Sequence, residues 1–459
     1  MGYCDDVMTP EEEKYLRIQE EILDRSQPEK ALEDLFHPAD IAAAIEHIED
    51  ESKMLEAFTA TGVGMGSQIL PLLDESAREL ILDNSSAEEL AELIGVMNTD
   101  DAADLLGEME EDVAEEVLGA APAEVDAQVS RLLKFEPETA GGIMQTELIA
   151  AREDMTLDQT LDLLRSRPDI NREVYNIFVV DNLGRLKGVA PIIELMLNPG
   201  EKIVGDMVDA GHPPIYVYAD DDQENVASLF KKYDLISLAV VDRNMVLLGR
   251  ILIDDIVDVL VEEADEDIMA LVGAGDEVLS PATSVVAMAR YRLPWLTASL
   301  GGGFVTGVLI WSFKGTLETA IALAAFIPIV MGMSGNVGAQ SSTLVVRGIA
   351  TGRIEQGALV AFILKEMKVG LILGVVCGVI SGVVAGFWQA SPGLGLIMGG
   401  AVFLAINLAA VMGASIPLIF QWLDVDPAIA GGPIVLAIND ITAVLIFLTL
   451  ATLLLHLLH

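Results

Sequence analysis

One acid stands inside the most apolar stretch of this chain. Residues 428–456 run Ala-Ile-Ala-Gly-Gly-Pro-Ile-Val-Leu-Ala-Ile-Asn-Asp-Ile-Thr and on through Leu-rich sequence, with Asp440 as the one carboxylate. The stretch is long enough to cross a bilayer, which takes about 20 apolar residues. Asp440 falls about 18 Å along a helix that starts at Ala428, near the bilayer midplane. A carboxylate there costs several kcal/mol, roughly 3 on insertion scales. It stays protonated, bonds a neighbouring helix, or faces a wet cavity and an ion; the rest of the sequence favours a cation. Residues 328–343 carry a second set, Pro-Ile-Val-Met-Gly-Met-Ser-Gly-Asn-Val-Gly-Ala-Gln-Ser-Ser-Thr. Its glycines permit close helix approach, while Asn336, Gln340 and the hydroxyls offer polar atoms at membrane depth. Such residues suit the wall of a hydrated pathway. A third set is the acidic run over residues 261–271, Val-Glu-Glu-Ala-Asp-Glu-Asp-Ile-Met-Ala-Leu, which reads as a solvated face or as a coupling element. Enzyme chemistry has no constellation to stand on. There is no nucleophile–base pair, phosphate loop or Cys/His metal cluster, and the five histidines (His37, His47, His212, His456, His459) are scattered.

The charge distribution separates the elements that hold these residues. The 459 residues bear a formal net charge of −45 although 52% of them are hydrophobic. Residues 286–459 hold seven Lys/Arg and six acids, so the first 285 residues carry 19 basic and 65 acidic groups, net −46. That intensely acidic body repels phosphates, which excludes nucleic acid as a partner. It suits a saline-adapted surface, a binder of multivalent cations, or both. Cys4 and Cys377 lie in different parts and suggest no disulfide framework, as expected of a cytosolic region. The start of the sequence shows no signal-peptide pattern.

Residues 10–135 read as helix throughout. Pro38 suits a first helical turn and Asp40 the positive end of a helix. Segments opening at Ser86, Thr99, Glu111 and Pro122 then succeed one another, each a capping or acidic residue followed by apolar residues at helical spacing. Short stacked helices of this kind predict a solenoid, with the acids on its solvated face. From Gly141 the pattern changes to short β runs between helices. Residues 177–181 and 238–242 read as buried strands ending in an Asp turn. Gly188 and Gly249 each follow their Asp by seven residues, and the copies are 61 residues apart. This tandem β-α-β-β-α unit, over about 141–262, resembles a pair of CBS domains. Such pairs often bind adenine nucleotides through Gly-x-h-Thr/Ser-x-x-Asp. Here the run is Gly249-Arg-Ile-Leu252-Ile-Asp-Asp255, and Leu252 replaces the hydroxyl residue, so ATP is expected to bind weakly or not at all.

Five apolar spans follow, at about 293–313, 317–345, 369–388, 394–420 and 428–455. Arg290 and Arg292 precede the first, and Arg347, Arg353, Lys365 and Lys368 cluster between the second and third. The positive-inside rule places both groups in the cytosol, hence the acidic body in the cytosol and the C-terminus outside. Trp295, Trp311, Trp388 and Trp422 lie near span ends, as anchors in the lipid interface do.

Five short motifs now carry a resemblance: Gly332-x-x-Gly335-Asn336-x-Gly338-x-Gln340, Arg292-Leu-Pro-Trp295, Lys365-Glu366, Asp426-Pro427 and Asp440-Ile-Thr442. Together they resemble the MgtE family of magnesium channels, over essentially the whole chain. The resemblance implies a multidomain fold: an all-α N-terminal solenoid, an α/β tandem CBS pair, a connecting helix and a five-helix α transmembrane domain. The expected boundaries are 1–136, 137–262, 263–290 and 291–459. It implies a homodimer in the cell membrane with a pore between subunits, lined by Gly335, Asn336, Gly338 and Gln340, and Mg²⁺ held by paired copies of Asp440. It also implies that cytosolic Mg²⁺ closes the pore by binding acids of the CBS pair and connecting ("plug") helix. On this chain those acids are Asp222, Glu224, Asp234, Asp255, Asp258, Glu263 and Glu266, with Asp426 at the cytosolic pore mouth. One departure is Gly431-Gly432-Pro433, where a polar residue is expected before the proline.

The physics is consistent with this resemblance. Mg²⁺ takes six oxygens at about 2.0–2.1 Å and sheds water reluctantly. One acid per subunit with amide walls attracts the hydrated ion without trapping it. Crowded acids repel, so a divalent ion binding among them can shift an open–closed equilibrium. Two rivals differ in class. An ion-coupled carrier for Mg²⁺, Co²⁺ or Mn²⁺ would use Asp440 to exchange a proton. A membrane-anchored CBS sensor without transport would leave Asp440 and the polar second span unexplained.

Overall fold

The computed structural model describes residues 10–23, 35–167, 174–208, 213–272, 284–350, 354, 359–423, 425, 427 and 432–458. The chain forms two compact units, Met1–Val261 and Glu262–His459.

The first unit opens with α1 (Pro10–Leu23), α2 (Pro38–Glu46), α3 (Glu51–Ala60), α4 (Gly62–Ile69), α5 (Glu75–Asn84), α6 (Ala87–Ile94), α7 (Thr99–Gly107), α8 (Glu111–Ala120) and α9 (Ala123–Leu132). Their starts follow the capping residues. Asp50 accepts from the Lys53 amide and Asp74 from the Ala77 amide, while Ser86 and Glu89 close a reciprocal capping box. Each helix is too short to stand alone, so stability comes from packing. α7 packs on α9 and α6 on α8, as stacked repeats do.

The α/β part repeats one pattern. β1 (Ala150–Arg152) lies parallel to β2 (Asn176–Val180), which pairs antiparallel with β3 (Leu186–Pro191). β4 (Tyr216–Tyr218), β5 (Ser237–Val241) and β6 (Leu247–Leu252) repeat this arrangement. α10 (Leu157–Arg165) and α12 (Gln223–Tyr233) are the crossover helices that each parallel pair requires, and α11 (Ile192–Leu197) follows β3. The Asp turns form as expected. Asp181 accepts from the amides of Leu183 and Arg185, and Asp242 from those of Asn244 and Val246. These backbone donors hold both carboxyls below the usual range. A Cβ on Gly188 would strike Val208, and one on Gly249 would strike Met144. One apolar core joins Ile45, Ile81 and Leu105 of the helices to Val226, Phe230 and Ile251 of the second repeat. The first repeat closes its own core around Ile149, Leu157, Ile177 and Val204.

α13 (Ile253–Val272) is a single helix that carries the acidic run. In the second unit five helices are long and apolar enough to cross a membrane: Val285–Ser312, Ile321–Ile349, Val360–Trp388, Pro392–Trp422 and Pro433–Leu455. The first, third and fourth start earlier than hydropathy alone suggests, and the second starts and ends four residues later. Arg290 and Arg292 fall inside the first helix, and Lys365 and Lys368 inside the third, because helix geometry continues past the apolar core. The fourth span is central and packs against the second, third and fifth, while the first leans on the fifth. Glycines set the closest approaches. A Cβ on Gly382 would come 2.8 Å from the Gly395 carbonyl, and one on Gly399 would come 2.7 Å from that of Gly378. Small residues that let backbones touch are the usual basis of helix association in lipid.

Candidate ion pathway and sensor residues

Asp440 lies on the fifth span, seven residues after Pro433, about 10 Å along the helix. Its side chain is half-buried, and among the described residues it has no hydrogen bond or ion pair. That removes the support for an acid bonded to a neighbouring helix of the same chain. Beside it runs the second span, where Gly335 makes room. A Cβ there would stand 3.8 Å from Asp440 Oδ1 and 3.3 Å from Leu436. Thr442 turns inward to its own helix and donates to the Ile438 and Asn439 carbonyls.

The second span is two-faced. Gly332, Asn336, Gln340, Thr343 and Arg347 follow one another at helical spacing on the side that the chain leaves exposed. Ser334, Gly335, Gly338, Ser341 and Ser342 are buried on the other side. The four pore-lining candidates therefore divide. Asn336 and Gln340 face outward, while Gly335 and Gly338 pack against the fifth span. A Cβ on Gly338 would collide with the Asn439 amide, and one on Gly413 of the fourth span would collide with the Gly338 carbonyl. Three spans thus close tightly at the depth of Asp440.

Two further polar groups sit in this bundle. Asn439 is fully buried with neither end of its amide partnered among the described residues. Glu366 on the third span is 6% exposed and accepts a hydrogen bond from the Ser341 hydroxyl at 2.8 Å. The sequence draws attention to Asn439 only as the neighbour of Asp440, because periodicity on one helix cannot say which side is covered.

In the first unit, Asp222 caps α12 and accepts from the Glu224 amide; both side chains are exposed. Asp234, also exposed, ends the same helix in the left-handed region at φ 50°, where Asp is one of the few tolerated residues. Asp258 on α13 is exposed as well. Asp255 is half-buried at the start of α13 and accepts from the Leu252 amide at 3.0 Å. Burial first, then the nearby charge of Asp100, pushes the Asp255 carboxyl up to about 8.

Asp100 overturns part of the expectation for the repeats. It lies in the first turn of α7 but is only 7% exposed, not on a solvated face. Gln145 Nε2 donates to its Oδ2 at 3.1 Å, and Oδ1 has no hydrogen-bond partner among the described residues. Arg250 in turn donates to Gln145 Oε1 at 2.8 Å. Burial, then repulsion from Asp101, raises Asp100 to about 7. Sequence gave one signal for it, the doubled Asp at a helix start, which a surface helix displays equally often.

Glu263 is partly exposed and Glu266 exposed on α13, three residues apart and so on neighbouring positions of one face. Asp426 and Gly431 lie outside the described residues, as does Arg353. Among the described residues no group of three or more His, Cys, Asp or Glu side chains converges as a metal site.

Comparison with known proteins rests on the same regions. The chain matches the MgtE family, described as a divalent cation transporter, over residues 327–450. It matches the MgtE intracellular N domain over 36–138 and CBS domains over 140–197 and 204–262. It is 37% identical over 332 residues to the magnesium transporter MgtE of Thermus thermophilus, covering 72% of this chain and 73% of that one. The chain belongs to the MgtE family. MgtE-family likeness extends to the solved soluble part of a magnesium transporter, with TM-score 0.51 and 25% identity over 55% of this chain and 99% of that one. A solved cytosolic domain of the Mg²⁺ channel MgtE in complex with ATP is 29% identical, with TM-score 0.49, over 53% of this chain and 99% of that one. The all-α N-terminal part, the tandem CBS pair and the five candidate membrane helices are thus those of MgtE proteins.

Proposed function

We propose that this chain transports Mg²⁺ into the cell through a pore formed between two copies, and that cytosolic Mg²⁺ closes it. The observation that carries this reading is the polar stripe Asn336–Gln340–Thr343 on a membrane span, left exposed by the single chain and adjoining a half-buried Asp440 that has no hydrogen bond or ion pair among the described residues. Polar groups on a lipid-facing surface are costly, and a shared aqueous path removes that cost. Paired copies of Asp440 give the attractive charge, Asn336 and Gln340 give neutral oxygens to the hydration shell, and Gly335 leaves the carboxylate free to meet the ion. Gly338 acts one layer back, holding the second and fifth spans together through its contact with Asn439. Asp426 stands at the cytosolic mouth in this scheme.

The proposed division is an acidic helical domain at 1–136, a CBS pair at 137–262, a connecting helix at 263–290 and the membrane domain at 291–459. The first three are cytosolic and the C-terminus is outside. Asp222, Glu224, Asp234, Asp255, Asp258, Glu263 and Glu266 bind Mg²⁺ across domain and subunit boundaries. Bound Mg²⁺ replaces repulsion by attraction and so favours the compact, closed arrangement.

The test is Mg²⁺ uptake into vesicles holding the purified protein, with free Mg²⁺ set separately on each face. Uptake should fall as Mg²⁺ rises on the face that bears the acidic body and should not require a proton or sodium gradient. Flux that stops when those gradients collapse would make it a coupled carrier. No flux under any gradient would leave a membrane-anchored sensor.

A further inference from the structure

Lys365-Glu366 is singled out by the sequence, and the ion pathway above makes no use of it. Glu366 lies on the third span, about 10 Å along the helix that starts at Leu359. Its side chain is 6% exposed, and among the described residues its one hydrogen bond comes from the Ser341 hydroxyl of the second span at 2.8 Å. A carboxyl buried among membrane helices is costly, so such residues usually have a task. Ser342 supplies a contrast. It is as deeply buried as Ser341, yet its hydroxyl has no partner among the described residues. Burial alone does not give a serine of this helix a bond, so the pairing of Ser341 with Glu366 is specific.

That bond has a direction, which the glycine contacts of the second span lack. Gly335 and Gly338 meet the fifth span, and Gly338 meets the fourth, through faces without side chains. Glycine lets helices come close but leaves rotation about the long axis weakly specified. A hydrogen bond restricts it, because donor and acceptor must stay aligned. The third span is itself packed on the central fourth. One turn beyond Glu366, a Cβ on Gly370 would come 3.0 Å from the Ala410 Cβ, and one on Gly374 would come 2.6 Å from Asn407 Nδ2. Gln340, the sequence neighbour of Ser341, points about 100° away around the helix, and Asn336, one turn earlier, shares the face of Gln340. Both amides are exposed while Ser341 is buried.

We infer that Glu366 is a positioning residue for the ion pathway: by holding the Ser341 hydroxyl it sets the rotation of the second span, and with it the direction in which Asn336 and Gln340 face. The inference rests on the pathway reading above, in which those two amides meet the hydrated ion. Glu366 acts through Ser341 and does not itself touch the ion.

The test uses the full chain in phospholipid vesicles, with its two cysteines, Cys4 and Cys377, replaced by Ala. One cysteine is introduced as Gln340→Cys or as Ser342→Cys, and its rate of modification by a charged methanethiosulfonate reagent is measured. Gln340→Cys should react much the faster of the two. Glu366→Leu, which removes the acceptor, should cut that ratio by about tenfold, the scale of one hydrogen bond to a carboxyl. Ser341→Ala should do the same with a far smaller change in volume, whereas Glu366→Gln, which keeps an acceptor oxygen, should hold the parent ratio. Without the added cysteine, Glu366→Leu and Ser341→Ala should each shift the ratio of Mg²⁺ to Co²⁺ uptake per folded protein, and the two together should do no more than either alone. A role confined to stability would lower the yield of folded protein and leave these ratios unmoved. A labelling or uptake ratio unchanged in Ser341→Ala overturns the inference while the pathway stands. Loss of the labelling ratio in Glu366→Gln also overturns it, since charge and not the bond would then be the cause. Equal modification of Gln340→Cys and Ser342→Cys with Glu366 intact would overturn the pathway reading, and this inference with it.

Discussion

At the scale of residues, the decisive fact is that Asp440 lies half-buried beside Gly335 with no hydrogen bond or ion pair among the described residues. If it supplies the charge that draws the ion, Asp440→Asn keeps shape and a carbonyl oxygen but loses the field. It should abolish or sharply reduce Mg²⁺ flux while the protein still assembles. Asp440→Glu should keep some flux with altered selectivity, since one methylene moves the carboxylate. Flux of the Asn variant equal to the parent's would remove Asp440 from the mechanism. Asp100 and Asp255 carry a pH signature of their own. Their folded pKa values, about 7 and about 8, lie above the ordinary carboxyl value of 3.8. The folded protein therefore holds protons that the unfolded chain releases. The contribution of these two carboxyls to the stability of the first unit is greatest at the acid end, falls as pH rises from about 4 to about 8, and is level above that. Asp100→Asn should flatten much of the slope in denaturant titrations of the purified protein at fixed salt. A slope unchanged in that variant would show that Asp100 does not titrate in this window.

At the scale of elements, the membrane domain is organised by glycine contacts that no hydropathy profile ranks. The third and fourth spans meet backbone to backbone at Gly378, Gly382, Gly395 and Gly399, whereas a Cβ at Gly307 of the first span meets nothing within 4 Å. Gly382→Leu should therefore destabilise the bundle by about 1–3 kcal/mol or more, because side-chain atoms must go where a carbonyl already is. Gly307→Leu should be near neutral. Thermal unfolding of both variants in the same detergent checks the contrast, and equal melting points would mean that the two spans are not held by these contacts. The CBS strands tell a parallel story. Leu252 is fully buried at the end of β6, so the position that offers a hydroxyl in nucleotide-binding pairs here completes a core. Calorimetry of the full chain with ATP should show no tight binding, and a micromolar Kd would overturn that expectation.

At the scale of the whole molecule, charge is partitioned between a body of net −46 and a nearly neutral membrane part. Repulsion within the body is screened by any salt, but only a multivalent ion can bridge carboxylates. Millimolar Mg²⁺ should therefore protect the first 275 residues of the full chain against proteolysis more than Na⁺ does at equal ionic strength. Replacing Glu263 and Glu266 together by Gln should weaken the difference. Equal protection by the two ions would reduce the effect to screening.

Some of this follows from composition and period alone. Apolar length fixes five candidate spans, because a bilayer core admits little else. Alternation and Asp turns fix the paired β units, and capping residues at regular intervals fix the short helices, since these are local preferences written into neighbouring residues. Asp440 is conspicuous for the same reason: its cost is set by its immediate sequence. What only tertiary structure decides is which side of a helix is covered. Period alone does not bury Asp100 under Gln145 while Glu88, Glu111 and Glu124, at the starts of the other repeats, stay exposed. It does not place Gly338 against Asn439, nor does it put Asn336 and Gln340 on an open face while Ser341 turns in to Glu366. These distinctions depend on partners dozens or hundreds of residues away, and the burial they impose decides whether an acid or an amide is solvated, strained or available to an ion.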